Sequence, residues 1–256
     1  MNKGGGGLTL PPFFSLSAFD TIGSTNEYAR ELADQGAIEG QLVWSRVQEQ
    51  GVGRRGREWT SPEGNLYCSL LIRPDCTAAE GAKLSFLVAV ALHKTLHEFL
   101  PMGSDLALKW PNDLLVNKQK IAGILLESKS NASGNLDWLV IGTGVNIENY
   151  PKVTEGLPAT CLKKEGGRGS VNRVLESYCL NLLELYTIWQ EDGFEPIRQM
   201  WLKRATGIGS PIIVRLADKE FSGIFSGLDP SGALILTDND GSIKHVTAGE
   251  IFFPAS

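Results

Sequence analysis

Apolar residues recur along this chain with two periods, and the periods mark its elements. In "STNEYARELADQGA", Tyr28, Leu32 and Ala33 fall at helical spacing, with Ser24 or Thr25 placed to cap the start and Gly36 to stop the helix. "QLVWSRVQ" follows as an apolar run with β-branched residues and reads as a strand; "NLYCSLLIRP" reads as another, ended by its proline. From Ala78 to Leu100 runs the longest strongly apolar helical stretch, halted by Pro101 and expected to lie buried across a sheet. "LALKWPNDLLVNKQKIAGILLES" predicts strand, turn at Pro-Asn-Asp, strand, polar turn at Asn117 to Gln119, and strand; "LDWLVIGTGVNI" adds one more. Between Asn172 and Trp189 the residues Leu175, Leu182, Leu185 and Ile188 share related faces of an amphipathic helix, and "EPIRQMWLKRA" predicts a further helix.

From Gly209 onward the character changes. "PIIVRL", "EFSGIFSGL", "GALILTD", "SIKHVT" and "EIFF" are short strand patterns separated by turns such as "DPSG" and "DNDG", and they predict a small β-barrel-like appendix. Helices lie between and after strands without strict alternation, so the expected class is α+β, a mixed sheet with packed helices. The expected organisation is a flexible leader over residues 1–12, a main domain over 13–206 and the β appendix over 207–256. The glycine-rich leader has no apolar core of its own, so neither a signal peptide nor a membrane span is expected.

Charge narrows the function classes. The net charge of -5 argues against broad nucleic-acid binding, so clustered arginines require a small anionic ligand or one specific patch. Cys68, Cys76, Cys161 and Cys179 form no C-x-x-C pair and sit mostly in apolar stretches, as reduced core thiols of a cytoplasmic protein would.

The densest cluster is "GVGRRGREW", Gly51 to Trp59, which spells G-x-G-x-x-G after a predicted strand and has Asp75 at about the distance a dinucleotide site would use. That site also needs a helix directly after the glycines to receive the pyrophosphate. Here "REWTSPEGN" intervenes, with Pro62 and Gly64, and a strand follows at once. A phosphate clamp fits better: glycines let the backbone approach an anion while the guanidinium forks of Arg54, Arg55 and Arg57 bind its oxygens. A solvated basic loop is the competing structural reading.

A second constellation is "KWPND", Lys109 to Asp113, which gathers a cation, an amide and a carboxylate at one turn; a hairpin could return Lys120 to the same place. Asn and Asp are common in turns for structural reasons alone, and Trp110 and Pro111 read as packing and turn geometry. His93 and His97 have the i, i+4 spacing of two metal ligands, but the sequence offers no third. Cys68 and Cys161 lack a basic partner and read as core thiols; Trp138 and Trp189 read as packing residues.

Taken together, "STN", "VQEQGVGRRGREW", "NLYCSLLIRP", "KWPND", "KIAGILLES" and "IGTGVNI" resemble, in order and spacing, the biotin protein ligases, from about Phe19 to the C-terminus. The resemblance implies a catalytic fold of the biotin-lipoate ligase type, similar to class II aminoacyl-tRNA synthetases, with an SH3-like C-terminal domain. It implies a two-step reaction: biotin and ATP form biotinyl-5'-AMP and pyrophosphate, and a lysine of an apo biotin carboxyl carrier protein then takes the acyl group.

Carried over by position, Ser24, Thr25, Asn26, Gln48, Gly51, Val52, Gly53, Arg54, Lys120 and Gly123 would bind biotin, and Arg54, Arg55, Arg57, Trp59, Asn112 and Asn146 the nucleotide. Arg54, Lys109, Asp113 and Lys120 would carry the chemistry, with magnesium accompanying ATP near Asn112. Asn112 and Asp113 would position metal, phosphate or the incoming amine.

Val52 departs from the family's pattern, which commonly has arginine there. Lipoate ligases share the chemistry, but their glycine triplet and histidine are absent from "RRGREWTSPEGN". A DNA-binding biotin sensor would need a recognition helix ahead of a core that opens at about Phe13, so no DNA partner is expected. The sequence leaves monomer and homodimer equally open.

Overall fold

In a computed structural model describing residues 7–152, 157–216, 219–238 and 240–254, the main sheet has seven strands. These are β1 (Ser15–Ile22), β2 (Gln41–Gln48), β3 (Leu66–Ile72), β4 (Leu106–Lys109), β5 (Asp113–Val116), β6 (Gln119–Ser130) and β7 (Leu136–Val145). Their order is β1-β2-β3-β7-β6-β5-β4, parallel between β1 and β2 and antiparallel elsewhere. The sequence reading had no strand at β1. Its serines leave only a weak alternation, and the strand lies half-exposed at the sheet edge, where no apolar period is demanded.

Parallel neighbours need a crossover, and α1 (Thr25–Asp34) supplies it. Ser24 caps it, its Oγ accepting from Glu27 N at 3.4 Å, and Gly36 ends it with φ +85°. Ala29 and Ala33 press α1 onto Val43, Leu71, Trp138 and Val140 on one sheet face. The crossover places Ser24, Thr25 and Asn26 at the carboxyl end of β1 and the start of a helix, where open sheets hold their ligands.

The opposite face carries the larger core. The single helix expected from Ala78 to Leu100 is two: α2 (Ala78–Ala82), capped by Thr77, and α3 (Leu84–Phe99). At Lys83 the backbone tightens, its N–H bonding back to Glu80 O at 3.1 Å, and the chain turns before α3 begins. From Leu84 to Leu92 nearly every α3 side chain is buried, because sheet lies on one side and α4 (Val171–Asp192) and α5 (Phe194–Leu202) on the other. Each large apolar side chain so buried contributes on the order of 2 kcal/mol. No helix of the described residues is long and apolar enough to cross a membrane.

The C-terminal strands are β8 (Pro211–Arg215), β9 (Glu220–Leu228), β10 (Leu234–Thr237), β11 (Ile243–Val246) and β12 (Glu250–Phe252). They form an antiparallel sheet in the order β11-β10-β9-β8-β12, with β11 and β12 at opposite edges, so the expected barrel is an open sheet among the described residues. Ahead of it, Thr206 N donates to Leu108 O at 2.8 Å and extends the β4 edge of the main sheet. Residues 1–6 of the expected leader lie outside the described residues. The rest departs from a free tail: Leu8 and Leu10 pack on the main core, and Thr9 N donates to Glu176 Oε1 on α4 at 2.7 Å.

Candidate active site

One cavity of about 360 Å³ opens over β6 and β7, a volume suited to one small ligand. Its first end is neutral and hydrogen-bonding. Gln48 Oε1 accepts from Thr25 N at 2.9 Å and Thr25 Oγ1 at 3.0 Å. Buried Ser69 lies 2.8 Å from Thr25 Oγ1 and 2.5 Å from Asn26 Oδ1, its single proton serving one at a time. Asn26 Nδ2 donates to Glu127 Oε2 at 2.7 Å, and Glu127 is held in turn by Arg30 at 3.1 Å. These fixed dipoles carry no net charge at the pocket wall, which suits a neutral polar head group.

The second end is cationic. β5 and β6 pair with a bulge between Leu114 and Leu115, and the hairpin returns Lys120 to the Lys109–Asp113 turn. Lys120 Nζ stands 2.6 Å from Asp113 Oδ1. Arg54 Nη1 donates to Asn112 Oδ1 at 3.0 Å, and Asn112 Nδ2 to Ile124 O at 2.7 Å. Lys109 is 5% exposed, with Nζ over the Phe252 ring at 5.9 Å. Burial pulls Lys109 down to about 8, against the pull of Asp113 and with help from Lys120, Arg54 and Arg57. Burial also lowers Arg54 from the ordinary guanidinium value, again opposed by Asp113. Asp113 pairs with Lys120 and Glu250 with Arg57, while Arg54 and Lys109 have no carboxylate in an ion pair among the described residues, so the pocket end is poised for an anion.

Trp59 joins the two ends. Its indole lies on Gly144 and Gly123, where added Cβ atoms would meet the ring, and Lys120 Nζ sits 5.3 Å from its centroid. Its Nε1 is buried without a hydrogen-bond partner among the described residues. Residues Arg54 to Gly56 make one 3-10 turn and β3 follows, so the dinucleotide helix is absent here.

Ser24, Thr25, Asn26, Gln48, Val52, Gly53, Arg54, Arg57, Trp59, Lys109, Asn112, Asp113, Lys120, Gly123 and Asn146 all line this cavity. Two expected residues do not. Arg55 has φ +58°, which turns its side chain out of the loop into solvent. Gly51 is buried behind the loop, with Trp59 O and Ser61 Oγ where a Cβ would stand.

Sequence reasoning missed several others. Gly142 and Gly144 alternate on one face of β7, and glycines inside a strand mark close approach, so "GTG" was a usable signal. Glu250 and Phe252 of β12 complete the rim, with Glu250 paired to Arg57 across the two sheets; nothing local to β12 announces this. His93, by contrast, is spent on packing: Nε2 meets Leu106 O at 3.1 Å, and burial lowers its pKa to about 4.

A neutral receptor opening onto a cation cluster, on a mixed sheet with an appended β unit, suits a small ligand with a polar head group and an anionic end. The chain belongs to the Biotin/lipoate A/B protein ligase family, whose profile matches residues 18–146, and the Biotin protein ligase C terminal domain matches residues 207–253. It is 40% identical to a biotin–[acetyl-CoA-carboxylase] ligase of Paracoccus denitrificans over 90% of this chain and 97% of the relative. It is 32% identical to the bifunctional ligase/repressor BirA of Bacillus subtilis (strain 168) over 91% of this chain and 72% of that one. The biotin protein ligase from Aquifex aeolicus in complex with biotin and ATP is 25% identical, with a TM-score of 0.78 over 94% of this chain and 99% of the other.

Proposed function

We propose that this chain activates biotin with ATP and transfers it to a lysine of a carboxylase's biotin carboxyl carrier protein. The observation that carries the reading is one cavity holding both the Thr25–Gln48–Asn26 receptor and the Arg54–Lys109–Lys120 cluster. A biotin carboxylate oxygen attacks the α-phosphorus of ATP, the bond to the β-phosphate breaks, and pyrophosphate leaves. Carboxylate and triphosphate repel each other, and the cation cluster offsets that repulsion. A deprotonated lysine amine of the carrier then attacks the acyl carbon and AMP departs. The Paracoccus denitrificans relative, named for acetyl-CoA carboxylase, supports that enzyme's carrier as the acceptor.

Asp113 holds Lys120 at the junction of the two ends. Magnesium arrives with ATP as part of the substrate. Asn112 Oδ1 accepts from Arg54 with one lone pair and would offer the second to a magnesium ion brought with ATP. The test is incubation with biotin, magnesium and ATP labelled in the α-phosphate, then addition of an apo carrier domain. Biotinyl-adenylate should form first and a biotinyl-lysine second; transfer of lipoate in place of biotin would overturn the choice of acid.

Two further outcomes follow from the site. Lys109 carries its charge below about 8 and loses it as pH rises through that value, so pyrophosphate exchange should decline over the same interval. Lys109→Arg should remove the decline, since a guanidinium stays protonated; an unchanged alkaline limb in that variant would show that another group titrates. Val52 is 45% exposed on the loop and lines the cavity without a charge. Val52→Arg should slow escape of biotinyl-adenylate, measured as its dissociation rate, and equal rates would remove any significance from this position.

A further inference from the structure

We infer that Ser61 is a positioning residue, its hydroxyl tying the head-group residue Gln48 to the backbone of Trp59, so that the two ends of the cavity are coupled through it; this rests on the ligase reading above. Ser61 is 6% exposed and does not line the cavity. Its Oγ donates to Trp59 O at 2.7 Å and accepts from Gln48 Nε2 at 3.0 Å. A hydroxyl has one proton. With that proton committed to Trp59, only lone pairs face Gln48, and they select the amide end that Gln48 turns toward Ser61.

The other end, Oε1, is thereby aimed at Thr25, where it accepts from both N and Oγ1. One serine therefore fixes the rotamer of a head-group residue and the backbone at Trp59. The backbone repeats the link: Gln48 N donates to Ser61 O at 3.3 Å and Trp59 N to Gly51 O at 2.9 Å. Gly51 lets this clamp close, because Trp59 O and Ser61 Oγ occupy the place of any Cβ. Trp59 in turn lies across Gly144 and Lys120, at the cationic end. A shift of the Gln48 side-chain amide on ligand binding thus reaches the Trp59 backbone through the Ser61 hydroxyl, beside the backbone bond that holds the two segments together.

The test compares the parent chain with Ser61→Ala and Ser61→Thr, using biotin, a non-hydrolysable ATP analogue, and both. Trp59 emission is taken as the difference from Trp59→Phe under each condition. In Ser61→Ala the biotin-dependent change at Trp59 should be lost and biotin affinity should fall roughly fivefold, the worth of one buried hydrogen bond. Biotin and the analogue should also cease to tighten each other, while Ser61→Thr, which keeps the hydroxyl, restores all three. If Ser61→Ala does not melt cooperatively, Ser61→Cys, of similar volume and a weaker donor, is read in its place and should show the same losses in part. A parent response that Ser61→Ala preserves overturns this inference and leaves the ligase reading standing. A parent that binds biotin by calorimetry without a change at Trp59 overturns this inference alone; a parent that binds no biotin overturns the ligase reading and the inference with it.

Discussion

Lys120→Gln should reduce the rate of biotinyl-adenylate formation by about 10²–10³, the loss that follows removal of one preorganised donor from a developing anion. Its ammonium sits at the junction of the cavity's two ends, 2.6 Å from Asp113 Oδ1 and over the Trp59 ring. Neither substrate anion can be brought against the other there without a positive charge between them. Glutamine removes the charge but keeps a polar donor one bond shorter, so the fall should lie mainly in kcat of pyrophosphate exchange, with a smaller rise in KM for biotin. Fold integrity should be retained, because Arg54 and Lys109 still face the Asp113 carboxylate. A rate within threefold of the parent would remove Lys120 from the chemistry.

Gly142→Ala should weaken biotin binding by roughly 10²-fold, about 3 kcal/mol, corresponding to two or three lost hydrogen bonds. The added methyl would overlap the Asn26 amide, which has nowhere to go: Nδ2 is held by Glu127 at 2.7 Å and Oδ1 faces buried Ser69 at 2.5 Å. Asn26 must leave its place, and the receptor loses one wall. The effect should appear in the dissociation constant for biotin by calorimetry, while ATP binding in the absence of biotin changes little. Unaltered biotin affinity would show that Asn26 does not belong to the receptor.

Much of the scaffold was legible because the responsible signals are local. The Ser24 cap, the Gly36 stop and the apolar runs of β2, β3, β6 and β7 each express a backbone preference within a few residues. The split of the long helix at Lys83 was not, since a single residue whose N–H bonds back to Glu80 O interrupts an otherwise continuous apolar pattern. The β1 edge strand was missed for the opposite reason: half-exposed residues have little apolar period to display.

The sequence alone places the arginine loop between two strands with no helix for a dinucleotide, and allows a hairpin that brings Lys120 back toward Asp113. Local backbone chemistry suffices for both conclusions. Tertiary structure alone decided which arginines face the cavity. Arg54 and Arg57 do, while Arg55 between them is turned outward by a positive φ that the surrounding loop imposes. It also decided that Glu250, 193 positions from Arg57, meets that guanidinium, and that Glu127 on β6 reaches Asn26 on α1. Sheet register and the docking of one sheet against another set such contacts, and no local periodicity in the chain encodes them.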